Sequence, residues 1–198
     1  MDRLENCIFS KKFLTIHSTT EGMTETEDEC IAILKRAGCS KIVIEHCVVV
    51  EKVAKKIAEK AIENGQKLDK ELVIRGSLLH DIGRHKTDGL MHAVEGVKIA
   101  KELGIDERVI KIIEKHIGGG IDKEEALRLG LPENDYVPKT LEEKIVCHAD
   151  NLIATTRRQT VDEEIESLEK KGEFEAARRV KKLHEELSRA CGIDLDCI

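Results

Sequence analysis

The chain has 198 residues, of which 40% are hydrophobic and 36% charged, with a formal net charge of −6 at neutral pH. That length suits one domain with a peripheral extension, and the composition suits a helix-rich soluble protein. Aromatic residues at 2% leave little for stacking on bases, and the acidic balance opposes a general grip on a phosphate backbone, so there is no strong nucleic-acid signal. No apolar run approaches the ~20 residues of a membrane span.

Seven cysteines (Cys7, Cys30, Cys39, Cys47, Cys147, Cys191 and Cys197) are scattered without a CxxC pair. Residues Met1 to Ser10 lack the apolar core of a secretory signal. Reduced thiols in a cytoplasmic protein follow, with a Cys191–Cys197 disulfide left open.

In chain order, residues 1–23 read as a leader or peripheral element in which Phe9, Phe13, Leu14 and Ile16 could pack on the body. Thr26 and Glu29 make a capping-box signature for a short helix that Gly38 stops. Ser40 caps a long helix, Lys41 to Glu63, on which His46, Val50, Val53, Ile57 and Ala61 share one face. Gly65 ends it and Asp69 caps the next. From Leu72 to Ile82 that helix is apolar on almost every side, so it is expected to be buried, with His80 and Asp81 in its last turn and Gly83 as its C-terminal cap.

A polar loop then runs from Arg84 to Leu90 with His85 and Lys86, and His92 opens a helix to Leu103. Mid-helix Gly96 costs about 1 kcal/mol relative to alanine, which suggests close helix packing. On the following helix, capped by Asp106, Val109, Ile112, Ile113 and His116 recur at zero, three, four and seven, which turns His116 inward. Asp122 with Glu125 and Thr140 with Glu143 sign two more capping boxes, and Leu131 to Pro138 is a loop between them. The second of these helices carries Val146, Asp150 and Ile153 on one face. From Asp162 to Arg189 the pattern is charged and helical, with a narrow stripe of Val180, Leu183, Leu187 and Ala190. A helix packed on the body is the first reading of that stripe, and a homodimer contact the second. No strand-period segment is visible. The domain reading is thus a leader at 1–23, a body at 24–160, and a charged C-terminal helix at 161–198.

The inward polar residues are His46, His80, Asp81, His92, His116 and Asp150. A single histidine on an apolar face is most simply a hydrogen-bonded core residue. Six nitrogen and carboxylate donors from five helices are better explained by a metal site in a bundle core. Mixed imidazole and carboxylate donors suit Mn, Fe, Co, Ni or Zn.

His46, then His80-Asp81-Ile82-Gly83, then Asp150 in Cys147-His148-Ala149-Asp150 resemble the HD superfamily of metal-dependent phosphohydrolases, in its HDIG branch. His92 in Met91-His92-Ala93-Val94-Glu95-Gly96 and His116 in Lys115-His116-Ile117-Gly118 resemble the two-metal members. The bacterial HD-type diadenosine tetraphosphate hydrolases have a loosely similar layout. The resemblance implies an all-α helical bundle with a metal site in its core and one or two divalent transition metal ions. His46, His80, Asp81 and Asp150 would surround one ion, and Asp81 would bridge to a second held by His92 and His116.

The implied reaction is hydrolysis of a phosphoester or phosphoanhydride in a nucleotide-like small molecule by a metal-activated water. With Asp81 at the centre, Arg84 is the first candidate for gripping a phosphate, Lys86 the second, and His85 a candidate proton donor to the leaving oxygen. Arg157 and Arg158 reach either a phosphate or solvent, and His148 reads as structural. Two alternatives remain open at this point: a metal-stabilised nucleotide-sensing module without turnover, and a one-metal site in which His92 and His116 are core histidines.

Overall fold

The structure, a computed structural model, describes residues 25–198, with side chains from Thr26 onward. The expected element at 1–23 lies outside the described residues. Among the described residues the architecture is all-α, with nine α-helices and one two-stranded ribbon.

Helix α1 spans Glu25–Ala37, which puts Thr26 inside the helix rather than at its cap. Helix α2 (Lys41–Glu63) is capped by Ser40, whose side chain accepts from the Val43 N–H. Val50, Val53, Ile57 and Ala61 are all buried, so the expected face of α2 is the core face. Helix α3 (Lys70–Leu79) is capped by Asp69 and is buried along most of its length, as its nearly continuous apolar sequence requires. It packs on α2, and α1 packs on it in turn.

The end of α3 differs from expectation. The α-helix stops at Leu79, His80 is its C-cap, and Asp81 leads into a 3₁₀ turn over Ile82–His85. Gly83 therefore sits inside that turn and is not a left-handed cap. Its lack of a side chain serves packing instead. A Cβ there would collide with the His92 carbonyl and come within 2.5 Å of the Gly96 nitrogen. Gly96, in helix α4 (Met91–Glu102), faces Ile113 of helix α5 (Glu107–Lys115), so a Cβ on Gly96 would lie 2.8 Å from Ile113 Cγ2. Two glycines thus let the 3₁₀ turn press directly on α4, and this close approach brings Asp81 up to His92.

After the short helix α6 (Lys123–Arg128), helix α7 (Leu141–Asn151) begins with a complete capping box between Thr140 and Glu143. Buried Lys115 reaches Glu143 at 3.2 Å and ties α5 to the start of α7. A hairpin follows that the sequence did not suggest: β1 (Ile153–Ala154) pairs antiparallel with β2 (Arg157–Arg158). Strands of two residues are too short to carry a visible period. Thr155 turns the ribbon with φ 61°, in the left-handed region that a β-branched residue seldom enters.

The charged C-terminal stretch forms two helices, α8 (Val161–Lys170) and α9 (Phe174–Cys191), broken at Gly172 with φ 79°. Val180, Leu183 and Leu187 are buried against α2 and α7, so the stripe is covered within the chain and is not a free dimer face. Cys191 and Cys197 are both free thiols, which closes the disulfide alternative. Among the described residues no helix is long and apolar enough to cross a membrane.

Candidate metal centre

Five segments converge on one point. His46 comes from α2, His80 and Asp81 from the end of α3, His92 from the first turn of α4, His116 from the end of α5, and Asp150 from the last turn of α7. His80, Asp81, His92 and His116 are buried, with Asp81 1% exposed.

Each histidine is held in the same way. The Nδ1–H of His46 donates to the Thr155 carbonyl at 2.6 Å, that of His80 to Ser77 at 2.6 Å, that of His92 to Gly89 at 2.7 Å, and that of His116 to Ile113 at 2.8 Å. With Nδ1 as donor to a backbone carbonyl, the tautomer is set and every Nε2 presents a lone pair to the centre. Three of these acceptors lie three residues back in a helical or turn segment, so local geometry supplies them. His46 is the exception. Its acceptor is the carbonyl of strained Thr155, 109 residues away.

Asp81 is the hub. Its Oδ1 lies 3.2 Å from His92 Nε2 and 3.5 Å from His116 Nε2, while its Oδ2 lies 3.7 Å from both His46 Nε2 and His80 Nε2. Asp150 Oδ1 completes the second group, 2.9 Å from His46 and 3.5 Å from His80. The one carboxylate therefore turns a different oxygen to each of two histidine pairs. Arg84 Nε donates to Asp81 Oδ2 at 2.6 Å and holds the carboxylate in this orientation.

Burial opposes ionisation of Asp81 and Asp150, yet the surrounding imidazoles outweigh it and hold both carboxyls below the usual range. Burial likewise disfavours the charged form of His80, but the Asp81 and Asp150 charges overcome it and lift that ring to about 9. His116 goes the other way, pushed down to about 4 by burial despite its contact with Asp81. The opposite shifts have one cause: two carboxylate charges reach His80 and outweigh its burial, whereas only that of Asp81 reaches His116 and does not.

The donors fit a transition metal on two further observations. His80 Nε2 and Asp81 Oδ1 are fully buried and have no hydrogen-bond partner, an expensive state for polar atoms. His92 Nε2 and His116 Nε2 face each other at 2.8 Å, although each ring has already committed its Nδ1–H elsewhere. Two lone pairs so close repel unless a cation lies beside them. The groups His46–His80–Asp150 and His80–Asp81–His116 each bring their ligand atoms within 4.8 Å of one another, so either could hold a metal ion.

The centre opens on a cleft of about 370 Å³. His46, Asp81 and Asp150 form its floor, and Arg84 lines it as well. Lys86 is exposed in the turn beyond, and His85 is half-buried with its Nδ1–H on the Ile82 carbonyl; neither lines the cleft. Arg158 knits backbone together, donating to the carbonyls of Leu152, Gln159 and Leu195, and Arg157 pairs with Glu163 at the surface. His148 Nε2–H donates to His184 Nδ1 at 3.0 Å, well inside the fold.

Four polar cleft residues had no signal in the sequence pattern: Asn151, Thr155, Gln159 and Glu164. All are polar and lie near the ends of elements, where a solvated role is the default. Only the fold brings the first turn of α8 to the rim of the site.

Comparison with known proteins places the chain in a family. The family described as "HD domain" matches residues 43–155, the segment that contains all six converging residues. An uncharacterized protein of Methanocaldococcus jannaschii is 51% identical over 144 residues, covering 73% of this chain and 85% of that protein. A tRNA (cytidine(56)-2'-O)-methyltransferase of Picrophilus torridus is 48% identical over 172 residues, covering 87% of this chain but 49% of that protein. The chain thus spans about half the length of that relative. A ribonuclease Y of Acidothermus cellulolyticus is 28% identical over 166 residues, covering 79% of this chain and 29% of that enzyme. With a family match over more than half its length, around the cluster just described, the chain belongs to the HD-domain family.

Proposed function

We propose that the chain is a metal-dependent phosphohydrolase that cleaves a phosphoester or phosphoanhydride in a nucleotide-like substrate. The observation that carries this reading is the double orientation of Asp81, with one oxygen toward His92 and His116 and the other toward His46 and His80. His46, His80, Asp81 and Asp150 would hold one divalent transition metal ion, and Asp81, His92 and His116 a second. Ions in such sites supply Lewis acidity toward a phosphoryl oxygen and a water acidic enough to ionise near neutral pH.

The remaining work falls to the chain's own groups. Arg84, half-buried and already oriented by Asp81, offers its outer N–H groups to a phosphate oxygen in the cleft, a geometry that suits guanidinium better than ammonium. Lys86 adds positive charge just outside. The four backbone carbonyls behind the rings fix the direction of each Nε2, so the site needs no rearrangement to receive its ions.

The test is metal analysis of the purified chain. It is followed by assays with Mn, Co, Ni or Fe on bis(p-nitrophenyl) phosphate, nucleotides, dinucleoside polyphosphates, cyclic phosphates and short RNA. One or two ions per chain with metal-dependent release of product is the expected result. No bound metal and no turnover with any of these ions overturns it.

The relative named as a tRNA methyltransferase favours a second reading, in which the domain holds a nucleotide of an RNA without cleaving it. A nucleotide that stays bound and intact in the metal-loaded protein would select that reading.

A further inference from the structure

One wall of the cleft is built for something other than phosphate. Gln159, 8% exposed, donates from Nε2 to the Asn151 carbonyl at 2.8 Å and to Glu164 Oε2 at 2.8 Å. This fork pins a carboxylate from α8 at the rim of the cleft, and among the described residues Glu164 Oε1 has no hydrogen-bond partner. Beside it, Asn151 is 7% exposed and its Nδ2 is buried without an acceptor. Ile42, Val43 and Ile153 provide apolar lining in the same cleft. Glu164, Asn151 and this apolar surface therefore line one 370 Å³ space together with Arg84 and Asp150.

The chemistry selects the ligand group. A carboxylate accepts hydrogen bonds and repels phosphate, so the part of a substrate beside Glu164 must be a donor other than the phosphate, and on a nucleotide that donor is a neutral group. The amide of Asn151 asks for a hydroxyl or carbonyl. The group esterified to the phosphate of a nucleotide is its sugar, and a ribose hydroxyl pair both donates and accepts. Among the described residues no Phe, Tyr or Trp lines the cleft, so tight stacking on a base is not what the wall offers. From this juxtaposition we infer that Glu164 and Asn151 read the ribose hydroxyls of the nucleotide whose phosphate meets Arg84, which makes the site selective for ribonucleotides over deoxyribonucleotides. The inference rests on the phosphohydrolase reading for the direction in which the nucleotide lies. The 2′-hydroxyl is the group by which a protein distinguishes the two at a single position.

The experiment is calorimetric titration of the full Mn-loaded chain with 5′-AMP and with 2′-deoxy-5′-AMP, with chromatography of the contents at the end of each run. The expected result is about tenfold tighter binding of AMP, a gap that shrinks to within about twofold in Glu164→Gln and Glu164→Ala and narrows in Asn151→Leu. Metal content and melting temperature of each variant are measured alongside, and Glu164→Gln keeps the side-chain shape should Glu164→Ala unfold. Equal affinity for the two nucleotides, a preference that survives both Glu164 variants, or binding of neither overturns the inference. Glu164-dependent preference with every substrate left intact keeps the inference and removes the hydrolase reading. Turnover without the preference does the reverse.

Discussion

The described residues form two buried histidine clusters, and they solve opposite problems. In the first, His92 and His116 meet at a tilt with ring centroids 4.9 Å apart; in the second, His148 and His184 meet edge-on at 5.1 Å. The second cluster closes on itself. His148 Nε2–H donates to His184 Nδ1, and His184 Nε2–H donates to Asp194 Oδ1 at 3.1 Å. Only His148 Nδ1 lacks a partner, and burial followed by the nearby His184 pushes that ring down to about 3, so it stays neutral. Although His184, Asp194 and Asp196 have ligand atoms close together, both carboxylates also accept from backbone N–H groups, Asp194 from Asp196 and Asp196 from Val161.

The first cluster spends every N–H outward, on backbone carbonyls, and gathers its lone pairs inward with none to receive them. A buried histidine becomes a candidate ligand when its partners leave the lone pair facing other lone pairs. Where donors alternate with acceptors it is a structural link.

The largest test of this contrast is Asp81→Ala. Because each carboxylate oxygen faces a different histidine pair, one substitution should empty both proposed ion sites. The loss of metal affinity should exceed the roughly 10–100-fold typical of removing an outer-shell partner. Elemental analysis after dialysis against a fixed metal concentration measures it; a variant that keeps one ion per chain would show that Asp81 does not bridge. Gly83→Ala attacks the same convergence from behind. Its Cβ would meet the His92 carbonyl and the backbone of Gly96, neither of which can turn aside. A stability loss at or above the roughly 1–3 kcal/mol of ordinary overpacking is expected, together with weaker metal binding as Asp81 and His92 are driven apart. Denaturant melts with and without metal separate the two effects.

His184→Leu is the matching test of the closed cluster. It leaves the His148 N–H buried without an acceptor, at a cost of about 1–3 kcal/mol. Metal content should be unchanged, since no ring nitrogen of that cluster points toward the centre. Lost metal together with lost stability would mean that the two clusters are coupled through α7, which carries both His148 and Asp150.

The difference between the clusters was only partly legible before folding. The capping signatures at Ser40, Asp69, Asp106, Asp122 and Thr140 are local, and all five appear as side-chain caps. The apolar spacing on α2 and α5 likewise turned His46 and His116 inward. What periodicity cannot carry is the orientation of a ring or a contact between distant segments. The Thr155 carbonyl behind His46 depends on a hairpin of two-residue strands, and the role of Gly83 depends on another helix's backbone. His184 sits in a run of charges that reads as solvated, yet it is buried because α9 folds back onto α7. Glu164 shares that misleading context at the other edge of the site.

Thr155 gives the smallest and most discriminating effect. Its φ of 61° places a β-branched residue in a region that costs about 1–2 kcal/mol, and glycine would relieve that strain. Glycine also raises the entropy of the unfolded chain by the equivalent of about 0.5–1 kcal/mol. The expected net effect of Thr155→Gly therefore runs from zero to a gain of about 1.5 kcal/mol, a rise in Tm of a few degrees at most for a chain of this length. The carbonyl that accepts from His46 belongs to the backbone and remains after the substitution, so metal stoichiometry should hold. If the variant instead lost metal while gaining stability, the threonine's stiffness, and not just its carbonyl, would be aiming the His46 ring. Convergence of lone pairs would then depend on strain stored in the hairpin, a feature that the closed His148–His184 pair has no need of.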